Sequence, residues 1–133
     1  MNNRLAGACA ALGGANGAFA IAAAAYGRHD VVDAYPREII SIAANLQLGH
    51  AVALLALAAL AELTDSRWGS AAGLAATSFA LGTILFSGTL YVLGLSGVLL
   101  LEGAAPAGGL LLIVGWLTIA FMGLRSLMSR PAR

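Results

Sequence analysis

The chain has 133 residues, of which 60% are hydrophobic and 10% charged, with a formal net charge of +1. A soluble domain carries about a quarter charged residues, so this exterior is not made for water, and disorder is excluded because disordered chains are poor in apolar residues and rich in charge. A charge balance this small does not point to nucleic acid, and no nucleic-acid partner is expected; the single cysteine, Cys9, neither closes a disulfide within the chain nor cages a metal by itself.

The class that remains is an integral membrane protein, and the uncharged runs measure its spans. A helix needs about 20 apolar residues to cross a hydrocarbon core of about 30 Å. The first run, Leu5 to Gly27, meets that length once and predicts a helix over 4–26. It is almost entirely Ala and Gly. Leu5, Leu12, Phe19 and Tyr26 recur every seventh position; Ala6, Ala10, Gly14, Ala18 and Ala22 recur every fourth; Gly13 and Gly17 form a GxxxG pair. Small residues let helix backbones approach closely, either within the bundle or at a homo-oligomer seam. The same segment, with Arg4 ahead of it and Ala23-Ala24-Ala25 near its end, also has features of a cleavable signal peptide, although its run is long for one.

The second run, Ile39 to Ala61, is as long as the first and predicts a helix over 37–61, with Pro36 suited to its opening turn. The third, Trp68 to Leu101, is half as long again. At 1.5 Å per residue it would extend about 50 Å, too long for one span and too short for two. Gly94, Ser96 and Gly97 predict a break, giving a helix over 70–94 and an interfacial segment reaching Glu102. The fourth run, Gly103 to Leu124, again fits a single span and predicts a helix over 106–127 opened by Pro106. The expected fold is all-α, a single four-transmembrane-helix bundle. A β-barrel is a poor alternative, because its strands would alternate polar and apolar residues whereas these runs are apolar on all sides. Arg4, Arg67, Arg125, Arg130 and Arg133 fall on one side and Arg28 and Arg37 on the other, so the positive-inside rule predicts cytoplasmic termini. Trp68 is expected to anchor a helix end at the interface.

Polar residues at membrane depth are the candidate site. Asn16, His50, Thr83 and Thr118 lie near the middle of their spans. Gln47 and His50, three apart, share a helical face, whereas Asn45 points toward Ser41. Thr83, Ser87 and Tyr91 form a hydroxyl stripe at four-residue steps. These faces are expected to meet as a buried hydrogen-bond seam reaching Asn16, and Asn16, Gln47, His50, Thr83, Ser87 and Tyr91 are the candidate ligand-binding residues. Two readings stand side by side. Interhelical hydrogen bonds of about 0.6 kcal/mol each can serve only to align helices, whereas an intramembrane histidine is a functional-site candidate. No catalytic residue is expected, since no acid is placed at the depth of Ser87 and His50; no metal site, since His50 lacks nearby ligand partners of the usual kinds; and no cofactor. Gly13, Gly14, Gly17, Gly88, Gly108, Gly109 and Gly115 are assigned to helix packing. In the first loop Asp30, Asp33 and Glu38 are expected to pair locally with Arg28 and Arg37, His29 to be solvated, and Glu102 to be a simple interface residue.

Several of these segments resemble the YgdD-like membrane family, a small four-helix family without assigned chemistry. Gln47 and His50 with Ala51-Val52-Ala53-Leu54-Leu55 are similar to its second-helix motif, and Leu85-Phe86-Ser87-Gly88-Thr89-Leu90-Tyr91 to its third. Pro106-Ala107-Gly108-Gly109 with Gly115-Trp116 resembles the fourth, and Gly17-Ala18-Phe19 the start of the first. Ala22 stands where the family commonly carries a histidine, and Leu46 where it carries a tyrosine, so a function requiring two histidines is not expected. The resemblance implies four transmembrane helices with the first retained, in a bacterial inner (plasma) membrane. The expected function is non-enzymatic: a homo-oligomer or an accessory subunit of a larger membrane complex, with the lipid bilayer as its medium. The alternative is a small transporter or binder of a lipid, quinone or other apolar molecule.

Overall fold

The computed structural model describes residues 3–63 and 69–128; Arg67, Trp68, Arg130 and Arg133, used above for orientation and anchoring, lie outside them. Its elements are α1 (Asn3–His29), α2 (Ala34–Leu63), α3 (Gly69–Ser96) and α4 (Ala104–Met128). All four are long and apolar enough to cross a membrane. Each runs past the range predicted from the uncharged gaps. The reason is that charge marks where hydrocarbon ends, not where the helix ends: Arg28 and His29 occupy the last turn of α1, where the Arg28 cation complements the exposed carbonyls. Pro36 and Pro106 are each the third residue of their helix, within the first turn, where a missing N–H breaks no helical bond.

The break in the long third run falls later than predicted. Gly94 is helical and packed, with a Cβ there meeting Ile40 at 2.8 Å and the Pro36 carbonyl at 3.3 Å. The helix ends instead at Ser96, because Gly97 adopts a left-handed φ of 70°, which glycine enters without steric cost. The Gly97 N–H donates to the Leu93 carbonyl at 2.9 Å, and the Val98 N–H to Ser96 Oγ at 3.2 Å. Val98, Leu99, Leu100 and Leu101 then run non-helical and exposed until Gly103, with φ 82°, turns the chain into α4.

Consecutive helices pack antiparallel, α1 on α2, α2 on α3 and α3 on α4, so Asn3 and Met128 lie at the same end. Lipid supplies no hydrophobic drive for this association, and close packing must do so. Glycines provide it. Gly13 abuts the Ala51 carbonyl and Leu55, Gly27 abuts Ile40, and Gly82 and Gly108 face one another across α3 and α4. Inside, one apolar cluster contains Cys9, Leu54, Leu57, Ala75, Phe79 and Leu112, and a second contains Ile40, Ala43, Ala44 and Tyr91. Gln47, His50, Thr83 and Ser87 are buried in the turns between these clusters, forming a polar layer across the middle of the bundle.

Candidate functional site

Three helices contribute to one hydrogen-bond chain. Asn16 on α1 is held by its own helix, its Nδ2 donating to the Leu12 carbonyl at 2.8 Å. Its Oδ1 accepts from Gln47 Nε2 at 3.0 Å, and Gln47 Oε1 accepts from the Tyr91 hydroxyl at 2.6 Å. Helical geometry explains the meeting: α2 and α3 are antiparallel, and Tyr91 is long enough to reach down to Gln47. One turn along α3, Ser87 Oγ donates to the Ala43 carbonyl at 3.0 Å, clamping α3 to the α2 backbone.

His50 belongs to a separate group. Its Nδ1 lies 2.8 Å from the Leu46 carbonyl, and the Trp116 indole Nε1 donates to its Nε2 at 3.1 Å. A carbonyl only accepts and an indole N–H only donates, so Nδ1 carries the proton and Nε2 the lone pair. The ring also packs against Phe79 at a centroid distance of 5.3 Å, and Phe79 meets Trp116 edge-on at 5.2 Å. Gly115 makes this possible, since a Cβ there would come 2.5 Å from the Phe79 ring.

Of the six candidates, the structure therefore joins Asn16, Gln47 and Tyr91 directly. It sets Ser87 beside them on backbone and links His50 to Trp116 instead. Thr83 Oγ1 is buried with no hydrogen-bond partner among the described residues. Thr118 bonds back to the Val114 carbonyl of its own helix at 2.8 Å and takes no part, and Asn45 Nδ2 lies 3.5 Å from Ser41 Oγ. Sequence reasoning misses Trp116, because an indole that donates into a bundle and one that merely packs look the same in a sequence; the available signal is its depth on α4, which matches that of His50. Two of the glycines assigned to packing, Gly14 and Gly88, lie off the contacts made within this chain. A Cβ at Gly14 or Gly88 meets nothing within 4 Å, because each is rotated by one residue, about 100°, from the face that packs. Gly13, Gly108 and Gly115 are in tight contact, Gly17 and Gly109 in ordinary contact, and Gly82, which the sequence pattern does not single out, is also tight at 2.7 Å.

Beside the chain lies an apolar groove of about 440 Å³ between α1, α2 and α3, lined by Phe19, Ala22, Ala23, Tyr26, Ile40, Tyr91 and Leu95. Phe19 and Tyr91 meet edge-on across it, 5.4 Å between centroids. At the same end, the expected local ion pairs are replaced by another arrangement. Arg37 donates from Nε and Nη2 to the Val31 carbonyl, at 3.0 and 2.9 Å, and from Nη2 to the Val32 carbonyl at 2.8 Å. These carbonyls have no helical partner where the chain turns between α1 and α2, so the guanidinium satisfies them in preference to a solvated carboxylate. Among the described residues neither Arg28 nor Arg37 has an ion-pair partner.

These features define a polytopic membrane protein: four apolar helices, glycine seams and a polar layer closed mostly on itself. The chain belongs to the family described as "Protein of unknown function (DUF423)", which matches residues 17–109. It is similar to the UPF0382 membrane protein of Haemophilus influenzae, 32% identical over 118 residues that cover 89% of this chain and 86% of the relative. It is also similar to the UPF0382 inner membrane protein YgdD of Escherichia coli K12, 33% identical over 99 residues covering 72% and 73%. A third relative is the UPF0382 membrane protein YwdK of Bacillus subtilis, 29% identical over 119 residues covering 87% and 95%. No solved structure matches. Family membership and four apolar helices together make this a bacterial inner-membrane protein of the YgdD-like kind.

Proposed function

We propose that the protein acts by helix packing rather than by catalysis, as a homo-oligomer or an accessory subunit of a larger membrane complex, with both termini cytoplasmic. The observation that carries this reading is the outer face of α1. Gly7, Ala11, Gly14 and Ala18 follow one another at steps of four, three and four, and all are exposed. At Gly7 and Gly14 an added Cβ meets nothing within 4 Å, so a second helix can approach that backbone as closely as α2 approaches Gly13 from the other side. The polar layer agrees with this reading, since its donors and acceptors are largely spent on aligning helices. Native mass spectrometry of the protein in nanodiscs tests it. A stable oligomer or a constant partner is expected, and Gly14→Leu with Ala18→Leu is expected to disperse it. A wild-type monomer without any companion would sink the reading.

The apolar groove favours a second reading, as a binder or small transporter of a lipid, quinone or other apolar molecule. Tyr91 both lines the groove and heads the chain to Gln47 and Asn16, so an occupant would be in register with the polar layer. Filling the groove with Ala22→Phe is then expected to abolish retention of a co-purified apolar molecule. Unchanged retention excludes the groove.

A further inference from the structure

We propose that the α1–α2 face binds an anionic phospholipid, with its phosphate between Arg28 and Arg37 and an acyl chain laid along α2. The two helices pinch together at Gly27, where a Cβ would meet Ile40 at 2.9 Å. Beside that pinch, Ala24, Gly27, Arg28, Arg37, Ser41 and Asn45 line a concavity of about 260 Å³. Arg37 is immobilised there by the Val31 and Val32 carbonyls. Arg28 is exposed and has no hydrogen-bond or ion-pair partner among the described residues. Two guanidinium groups thus flank one polar hollow with no carboxylate to neutralise them, although Asp30, Asp33 and Glu38 are near in sequence; none of the three lines it. Arg28 keeps its paired N–H donors for a phosphate, and Arg37, whose Nε and Nη2 are held by the loop carbonyls, adds its remaining Nη1 and its fixed positive charge.

The depth and the neighbouring surface identify the anion as a lipid's. The apolar spans end at His29 and begin again at Ala34, so the hollow sits where headgroup phosphates lie. Arg37, Ser41 and Asn45 step down α2 four residues at a time, and the exposed stripe continues as Leu48, Val52 and Leu55. Cation, then hydroxyl and amide, then hydrocarbon is the order in which a phospholipid presents phosphate, ester and acyl chain. The absence of an acidic lining residue selects an anionic headgroup, since nothing there pairs with the amine of a zwitterionic one.

The test uses the full chain in nanodiscs of equal phosphatidylglycerol and phosphatidylcholine, with tightly retained lipid read by native mass spectrometry. Phosphatidylglycerol is expected to be enriched about fivefold over the bulk ratio, and Arg28→Gln to return the ratio to bulk, the scale of one exposed charge-assisted contact. Ser41→Phe, which fills the hollow and leaves both arginines in place, is expected to do the same. Retained lipid at the bulk ratio, or enrichment that survives both substitutions, overturns the proposal. Inorganic phosphate that protects the detergent-solubilised protein from heat as well as phosphatidylglycerol does also overturns it, by assigning the hollow to a free anion.

Discussion

Gly13 and Gly14 are neighbours in sequence and opposites in environment, and the contrast recurs through the chain. Where an added methyl would strike backbone, nothing can rotate aside. At Gly108 it would stand 2.5 Å from the Phe86 nitrogen and 2.8 Å from the Gly82 carbonyl, so Gly108→Ala must part α3 from α4. A loss of about 1–3 kcal/mol is expected, the cost of overfilling a close-packed contact, whereas Gly14→Ala should leave monomer stability unchanged; reversible unfolding in mixed micelles measures both. Tyr91 offers a second test. Tyr91→Phe removes the donor to Gln47 Oε1 and keeps the ring against Phe19. A loss of about 0.6 kcal/mol is expected, with an upper bound of about 1.7 kcal/mol. A double-mutant cycle with Gln47→Leu should return a coupling energy of that size, and zero coupling would show that the hydroxyl is satisfied elsewhere.

At the scale of the helix, the sequence is easiest to read where composition alone decides. Four uncharged runs become four helices because hydrocarbon tolerates no exposed backbone. Their ends are harder to place, since a helix continues through Arg28 and His29 or starts at Ala34 once it has left the hydrocarbon. Gly94 misleads as a breaker because a glycine that ends a helix and one that admits Ile40 look alike in a sequence. The partition of the candidate site is hidden for a related reason. Spacing places Gln47 and His50 on one face, but not that Gln47 turns to Asn16 and Tyr91 while His50 turns to Trp116. That choice depends on side-chain reach across helices. The true stop of α3 yields its own test. Gly97→Ala forces an L-residue into the left-handed region, at a cost of about 1–2 kcal/mol, and should lower the melting temperature followed by circular dichroism. An unaltered melt would mean that the turn relaxes to another shape.

For the molecule as a whole, the arrangement is two hairpins joined through α2 and α3, with polar side chains gathered at mid-depth and glycine contacts sealing each hairpin along its length. The two apolar clusters on either side of the polar layer differ in make-up: Phe79, Leu54 and Leu57 fill one, and Ile40 with two alanines and Tyr91 the other. The end near the second cluster is also where the groove and the arginine hollow open, so both recesses share one half of the bundle. The clasp between α1 and α2 at Gly13 and Gly27 bears on how the chain enters the membrane during synthesis. The Ala and Gly side chains of α1 bury less apolar area than Leu or Phe would, so the contact with α2 carries more of its stability in the bilayer. α1 made without α2 is therefore expected to insert less completely than the α1–α2 pair, and glycosylation-site mapping of both in microsomes measures the difference.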